Sequence, residues 1–157
     1  MQPFLDDRAL LQERLLVALS ALQGYALVDP SRIAAVGFCF GGLCVLDLAR
    51  TGTEIQGVAS FHGLLGPPGN ITGGHINAKV LVLHGHDDPM VPVEQVNELE
   101  PELTAARADW QIHTYGNTMH SITNPNANDP GFGTQYSESA DRRSWGTLLN
   151  FLDEIFV

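Results

Sequence analysis

The stretch Val36-Gly37-Phe38-Cys39-Phe40-Gly41-Gly42 closes one pattern and opens another. Before it lies a short continuous apolar run, Ile33-Ala34-Ala35-Val36-Gly37-Phe38; after it, helical character continues to Arg50. An apolar run of this length, preceded by the turn Val28-Asp29-Pro30-Ser31-Arg32, reads as a strand buried on both faces, the condition of a parallel sheet. Residues 56–61 and 79–84 repeat the pattern, and residues 110–115 suggest a fourth strand. Helices are expected over residues 6–22, 41–50, 93–107 and 144–156. In the first, Leu10, Leu11, Leu15, Leu16, Ala18, Leu19 and Leu22 form the apolar stripe; in the last, Trp145, Leu148, Leu149, Leu152 and Ile155 form the inner face. Strands alternating with helices imply βαβ crossovers. The fold class is therefore α/β, with about four mainly parallel strands flanked by helices. Residues 63–74 and 120–141 read as loops, and a loop as long as the second is usually functional.

The chain has 157 residues, of which 8 are Lys or Arg and 18 are Asp or Glu, giving a formal net charge of −10. That length suits one domain spanning residues 1–157. The charge disfavours nucleic acid and anionic membrane as partners, since both would repel it. No apolar run approaches the ~18 residues of a membrane span. The N-terminal residues carry dispersed charges and no signal-peptide pattern. Cys39 and Cys44 are too few and too close for a disulfide scaffold, so reduced thiols and a cytoplasmic location are expected.

The opening stretch also has the form Gly-x-Cys-x-Gly at a strand-to-helix junction. A nucleophile held there occupies a strained turn, and flanking glycines remove side chains that would collide. The helix N-terminus behind it favours a thiolate, and the backbone N–H of Phe40 faces the place where an oxyanion would form. A buried cysteine in a tight connection is the competing reading, and Cys44 reads as core filler. A thiol nucleophile needs a base and an orienting acid. The third strand ends in His84-Gly85-His86-Asp87-Asp88-Pro89-Met90-Val91-Pro92, and the fourth is followed by Tyr115-Gly116-Asn117-Thr118-Met119-His120-Ser121. Nucleophile, acid and histidine thus fall in that order at the C-terminal ends of parallel strands, where open α/β sheets place their sites. The competing readings are a turn-forming Asp88 and a solvated His120. His84-Gly85-His86-Asp87-Asp88 also fits the start of a metal-binding cluster, but Pro89 stands where a further histidine is usual. No metal and no cofactor are expected.

These segments together resemble the dienelactone hydrolase family of α/β-hydrolases. Residues 37–42 match its cysteine elbow, 84–92 its acid loop and 115–125 its histidine loop; residues 60–67 and 140–156 follow its style. The resemblance implies Cys39 as nucleophile, His120 as base and Asp88, rather than Asp87, as orienting acid. It places His62 and Asn124 at the substrate pocket. Family members are longer, and the chain resembles the C-terminal part of their fold. The loop that donates their second oxyanion N–H is not matched here, a loss that typically costs ~2.7–4 kcal/mol, or ~10²–10³ in rate. The strand at residues 33–38 becomes a sheet edge, a template for pairing that suggests a homodimer. Family enzymes that take a carboxylated lactone hold it with arginines, one of them shortly after the catalytic histidine. Ser121-Ile122-Thr123-Asn124-Pro125 supplies no cation, so a small uncharged ester or lactone is the expected substrate. A non-catalytic binding or oligomeric module and a Cys39 redox sensor are the alternatives.

Overall fold

Residues 1–70 and 74–157 are described by the computed structural model. The elements run α1 (Gln2–Asp6), α2 (Arg8–Gln23), β1 (Ala34–Phe38), α3 (Phe40–Arg50), β2 (Gly57–Phe61) and β3 (Lys79–Gly85). They continue α4 (Val93–Ala105), β4 (Trp110–Tyr115), β5 (Asn128–Asp129), β6 (Thr134–Gln135) and α5 (Glu138–Ile155). β1 to β4 form one parallel sheet in the order β1-β2-β3-β4. Val36, Ala59, Leu81 and Gln111 lie side by side across it.

The continuous apolar runs are explained by cover on both sheet faces. Val58, Val80 and Val82 pack in one core with Val45 and Leu46 of α3, Leu19 of α2 and Leu99 of α4. Ala59, Phe61, Leu81 and Leu83 pack on the other face against Leu148, Phe151 and Ile155 of α5. Each fully buried side chain of this size stabilises the fold by roughly 1.5–3 kcal/mol. A buried ion network ties α2, α3 and α4 together. Arg8 donates to both carboxylate oxygens of Asp47 at 2.6 Å, and Arg50 reaches Asp47 at 3.2 Å and Glu102 at 2.7 and 2.9 Å. Asp47 is fully buried and carries two guanidinium partners.

Several expectations change. The first helix is divided at Asp7, whose extended backbone ends α1 and whose side chain caps α2 by accepting from Leu10 N–H. Leu16 and Leu22 are exposed, because only the Leu11–Leu19 side of α2 meets α3. The last helix begins at Glu138 rather than residue 144, capped by Ser137; its inner face there is Ala140 and Ser144, residues too small to mark an apolar stripe. Trp145 and Leu149 are not inner-face residues; each is 50% exposed, and Phe151 takes the core position. Within the expected second loop lies a small antiparallel ribbon, β5–β6. The first expected loop runs through residues 71–73, which lie outside the described residues.

β1 is an edge among the described residues. Cys39 N–H donates to Phe61 O and Gln56 N–H to Ile33 O, so the odd-numbered residues serve β2. By the alternation of a parallel ladder, the backbone groups of Ala34, Val36 and Phe38 face the open side. Val36 is 40% and Phe38 42% exposed, and the Phe38 ring stacks on that of Phe61, their centroids 4.7 Å apart.

Candidate active site

Where β1 ends, the chain reverses into α3 within one residue. Cys39 takes φ 53° and ψ −118°, a conformation a side chain rarely adopts, and this lifts its thiol into the open. The turn depends on absent side chains. A Cβ on Gly37 would lie 1.9 Å from Gly41 O, and one on Gly42 would lie 2.6 Å from Gly63 Cα. Gly41 has open space around its Cβ direction, so the second glycine of the spacing is not sterically required; Gly42 is. Phe40 is the first residue of α3, and its N–H has no intrahelical partner.

The ends of β3 and β4 bring the other two residues to the thiol. His120 Nε2 lies 3.1 Å from Cys39 Sγ, and His120 Nδ1 lies 2.7 Å from Asp88 Oδ2. The carboxylate accepts the Nδ1 proton, which leaves Nε2 of a neutral ring free to accept from the thiol. Asp88 and His120 are each 2% exposed. Met90 N–H donates to Asp88 Oδ1 at 2.8 Å, fixing the carboxylate. The acid loop is tied to the histidine loop by His86 N–H to Tyr115 O and Asp87 N–H to Thr118 O, both 2.9 Å. The ribbon holds His120 from the other side: His120 N–H donates to Gly133 O and Gln135 N–H to His120 O, both 3.0 Å.

His62 is buried at the end of β2 with φ 37°, its Nε2 3.1 Å from Thr123 Oγ1. Its ring meets that of His120 edge-on, with centroids 4.9 Å apart. Burial, reinforced by His120, pushes the His62 pKa down to about 4, so its ring is neutral near pH 7. Asn124 is not gathered into this group; it is exposed, and its Oδ1 accepts from Asn126 N–H in a local turn. Asp87 is exposed too. The run His84-Gly85-His86-Asp87-Asp88 splits between inside and outside, His84 and Asp88 buried, His86 and Asp87 exposed. Among the described residues no three His, Cys, Asp or Glu side chains group as metal ligands. The Thr123 partner of His62 and the ribbon around His120 escaped sequence reasoning. His84, weighed in the sequence as part of a metal cluster, is buried, and its ring nitrogens find no partner among the described residues. No helix among the described residues is long and apolar enough to cross a membrane.

An arrangement of this kind can generate a nucleophilic thiolate, hold an adjacent base in one tautomer and offer a backbone donor to an oxyanion. Known proteins share the chain's framework. The Caenorhabditis elegans protein K02A2.1 is 38% identical over 155 residues, covering 97% of this chain and 98% of that one. A carboxymethylenebutenolidase homolog of Rattus norvegicus is 24% identical over 99 residues, 62% of this chain and 40% of the relative. The crystal structure of a dienelactone hydrolase-like promiscuous phosphotriesterase from metagenomic libraries superposes on the whole chain with a TM-score of 0.90 and 40% identity. This chain spans 66% of that protein. The dienelactone hydrolase family model matches residues 1–156, and with that match the chain belongs to the dienelactone hydrolase family.

Proposed function

We propose that the chain hydrolyses a small, uncharged carboxylic ester or lactone, with Cys39 as nucleophile, His120 as base and Asp88 as orienting acid. The carrying observation is the relay from Cys39 Sγ to His120 at 3.1 Å and on to Asp88 at 2.7 Å. His120 Nε2 takes the thiol proton as Sγ bonds to the carbonyl carbon, and Phe40 N–H donates to the oxyanion. Collapse of that intermediate breaks the bond to the leaving oxygen, which receives the proton from His120. Water then attacks the thioester, giving its proton to His120; the C–S bond breaks, Sγ takes that proton back from His120, and the acid is released. Asp88 keeps the imidazole oriented and balances its transient charge.

The uncharged substrate follows from the absence of any cation in residues 121–125 and from a net charge of −10. An aryl phosphotriester, also uncharged, is the second class to assay, because the relative at 40% identity is a promiscuous phosphotriesterase. The open edge of β1 supports association into a homodimer, and two free thiols, Cys39 and Cys44, support a reducing compartment. The test is steady-state hydrolysis of an activated aryl ester by the wild type, Cys39→Ala and His120→Ala. The wild type is expected to exceed both variants, by about 10²-fold or more; equal rates in all three would defeat the proposal.

A further inference from the structure

We propose that Gly133, on the ribbon, is a positioning residue that sets His120 against Asp88. The inference rests on the triad reading above. The two residues of that hydrogen bond come from separate loops, one after β3 and one after β4. Gly133 touches both loops. Its carbonyl accepts His120 N–H at 3.0 Å, while its Cα packs on the ring of Pro89, the residue next to Asp88. A Cβ built on Gly133 would lie 2.1 Å from Pro89 Cγ and 2.8 Å from Pro89 Cδ. Its φ of 90° is one that other residues rarely adopt. These features converge on one position. The chain passes flat against Pro89 with its carbonyl aimed at His120, and only glycine permits both.

Ribbon and loop are further locked. Gln135 N–H donates to His120 O, Ser137 N–H to Ile122 O at 3.2 Å, and Ile122 is fully buried. The ribbon therefore has no slack on the His120 side. A methyl group at position 133 must push it off Pro89 and carry His120 away from Asp88. Misplacement by about 1 Å typically costs catalysis ~10²-fold. Gly133 touches no reacting atom; its effect passes through His120.

A double-mutant cycle tests this with Gly133→Ala, Pro89→Ala and the pair, and with Phe132→Ala, an exposed ribbon residue, as control. Two readouts are followed: kcat and KM for an aryl ester, and the rate of Cys39 alkylation by iodoacetamide, assigned to Cys39 rather than Cys44 by peptide mass spectrometry. Gly133→Ala is expected to lower kcat ~10²-fold and alkylation ~10-fold with KM within ~2-fold, since orientation and not binding is lost. Pro89→Ala removes the buttress without a clash, with a loss of ~3-fold expected in both. The pair should lose less than Gly133→Ala alone, because the colliding ring atoms are gone and only the strain of the positive φ remains; independent effects would instead multiply to ~30-fold in alkylation. Phe132→Ala should match the wild type. Multiplying losses, or Gly133→Ala within ~2-fold of wild type in both readouts, overturn the proposal. Where Gly133→Ala does not fold, Pro89→Ala alone decides, and wild-type values in it overturn the proposal. Absence of Cys39-dependent ester hydrolysis in the wild type defeats the hydrolase reading instead, and the alkylation cycle then judges Gly133 by itself.

Discussion

Acidification from pH 7 to pH 4 titrates His62 in the unfolded chain, where its pKa is near 6.5, well before it titrates the folded protein, where it is about 4. Between those values the unfolded state binds the extra proton. Stability is therefore complete above pH 6.5, falls as the pH drops toward 4 and levels off below. A gap of this size amounts to roughly 3 kcal/mol lost by pH 4, with about half gone near pH 5.3. With a urea slope of ~2 kcal/mol/M, the unfolding midpoint should fall by ~1.5 M from this group alone. His84, also lowered by burial, adds in the same direction, so the measurement must be a difference. His62→Asn provides it. Asparagine tolerates the left-handed backbone at this position, keeps a polar group toward Thr123 and cannot titrate. Urea unfolding of both proteins at intervals from pH 7 to pH 4 should give a wild-type-minus-variant stability difference that falls by ~3 kcal/mol over that range, because only the wild type pays to keep this ring neutral. Curves that stay parallel within ~0.5 kcal/mol would refute the reasoning, for His62 would then be solvated in the fold.

Three further outcomes are expected. Asp47→Ala should cost about 3–5 kcal/mol in urea unfolding, because it leaves Arg8 and Arg50 buried without their shared carboxylate. Gly37→Ala, whose Cβ would overlap Gly41 O, should cost more than ~4 kcal/mol, while Gly41→Ala, with open space, should be neutral or stabilising by up to ~1 kcal/mol. Light scattering behind size exclusion should give a dimer for the wild type and a monomer for Val36→Asp, which charges the open strand edge; a wild-type monomer at micromolar concentration contradicts edge pairing.

The sheet was legible because β2 and β3 are covered on both faces, so nearly every residue had to be apolar. Helix faces were harder. In α5 the apolar residues span a wider arc than the buried ones, and periodicity does not separate Phe151, which enters the core, from Trp145 and Leu149, which are half exposed. Its first turns were hidden because Ala140 and Ser144 need only be small to pack there. Cys39, Asp88 and His120 could be nominated from their places at strand ends, since a parallel sheet brings those ends together. The ribbon could not, because two-residue strands have no period to read. Asn124 looked like a pocket residue only by its position after His120; its amide is used by the turn it forms. The Arg8–Asp47 pair was not legible either, because its partners are remote in sequence.

The central claim is that Cys39 carries the acyl group. Mixing the protein with a p-nitrophenyl ester, quenching in acid within the first turnovers and mapping the product by peptide mass spectrometry tests it directly. The account requires an acyl adduct on the peptide containing Cys39 that forms and decays at the rate of turnover, and that Cys39→Ala does not form. Turnover with no adduct on Cys39, or turnover undiminished in Cys39→Ala, would contradict it.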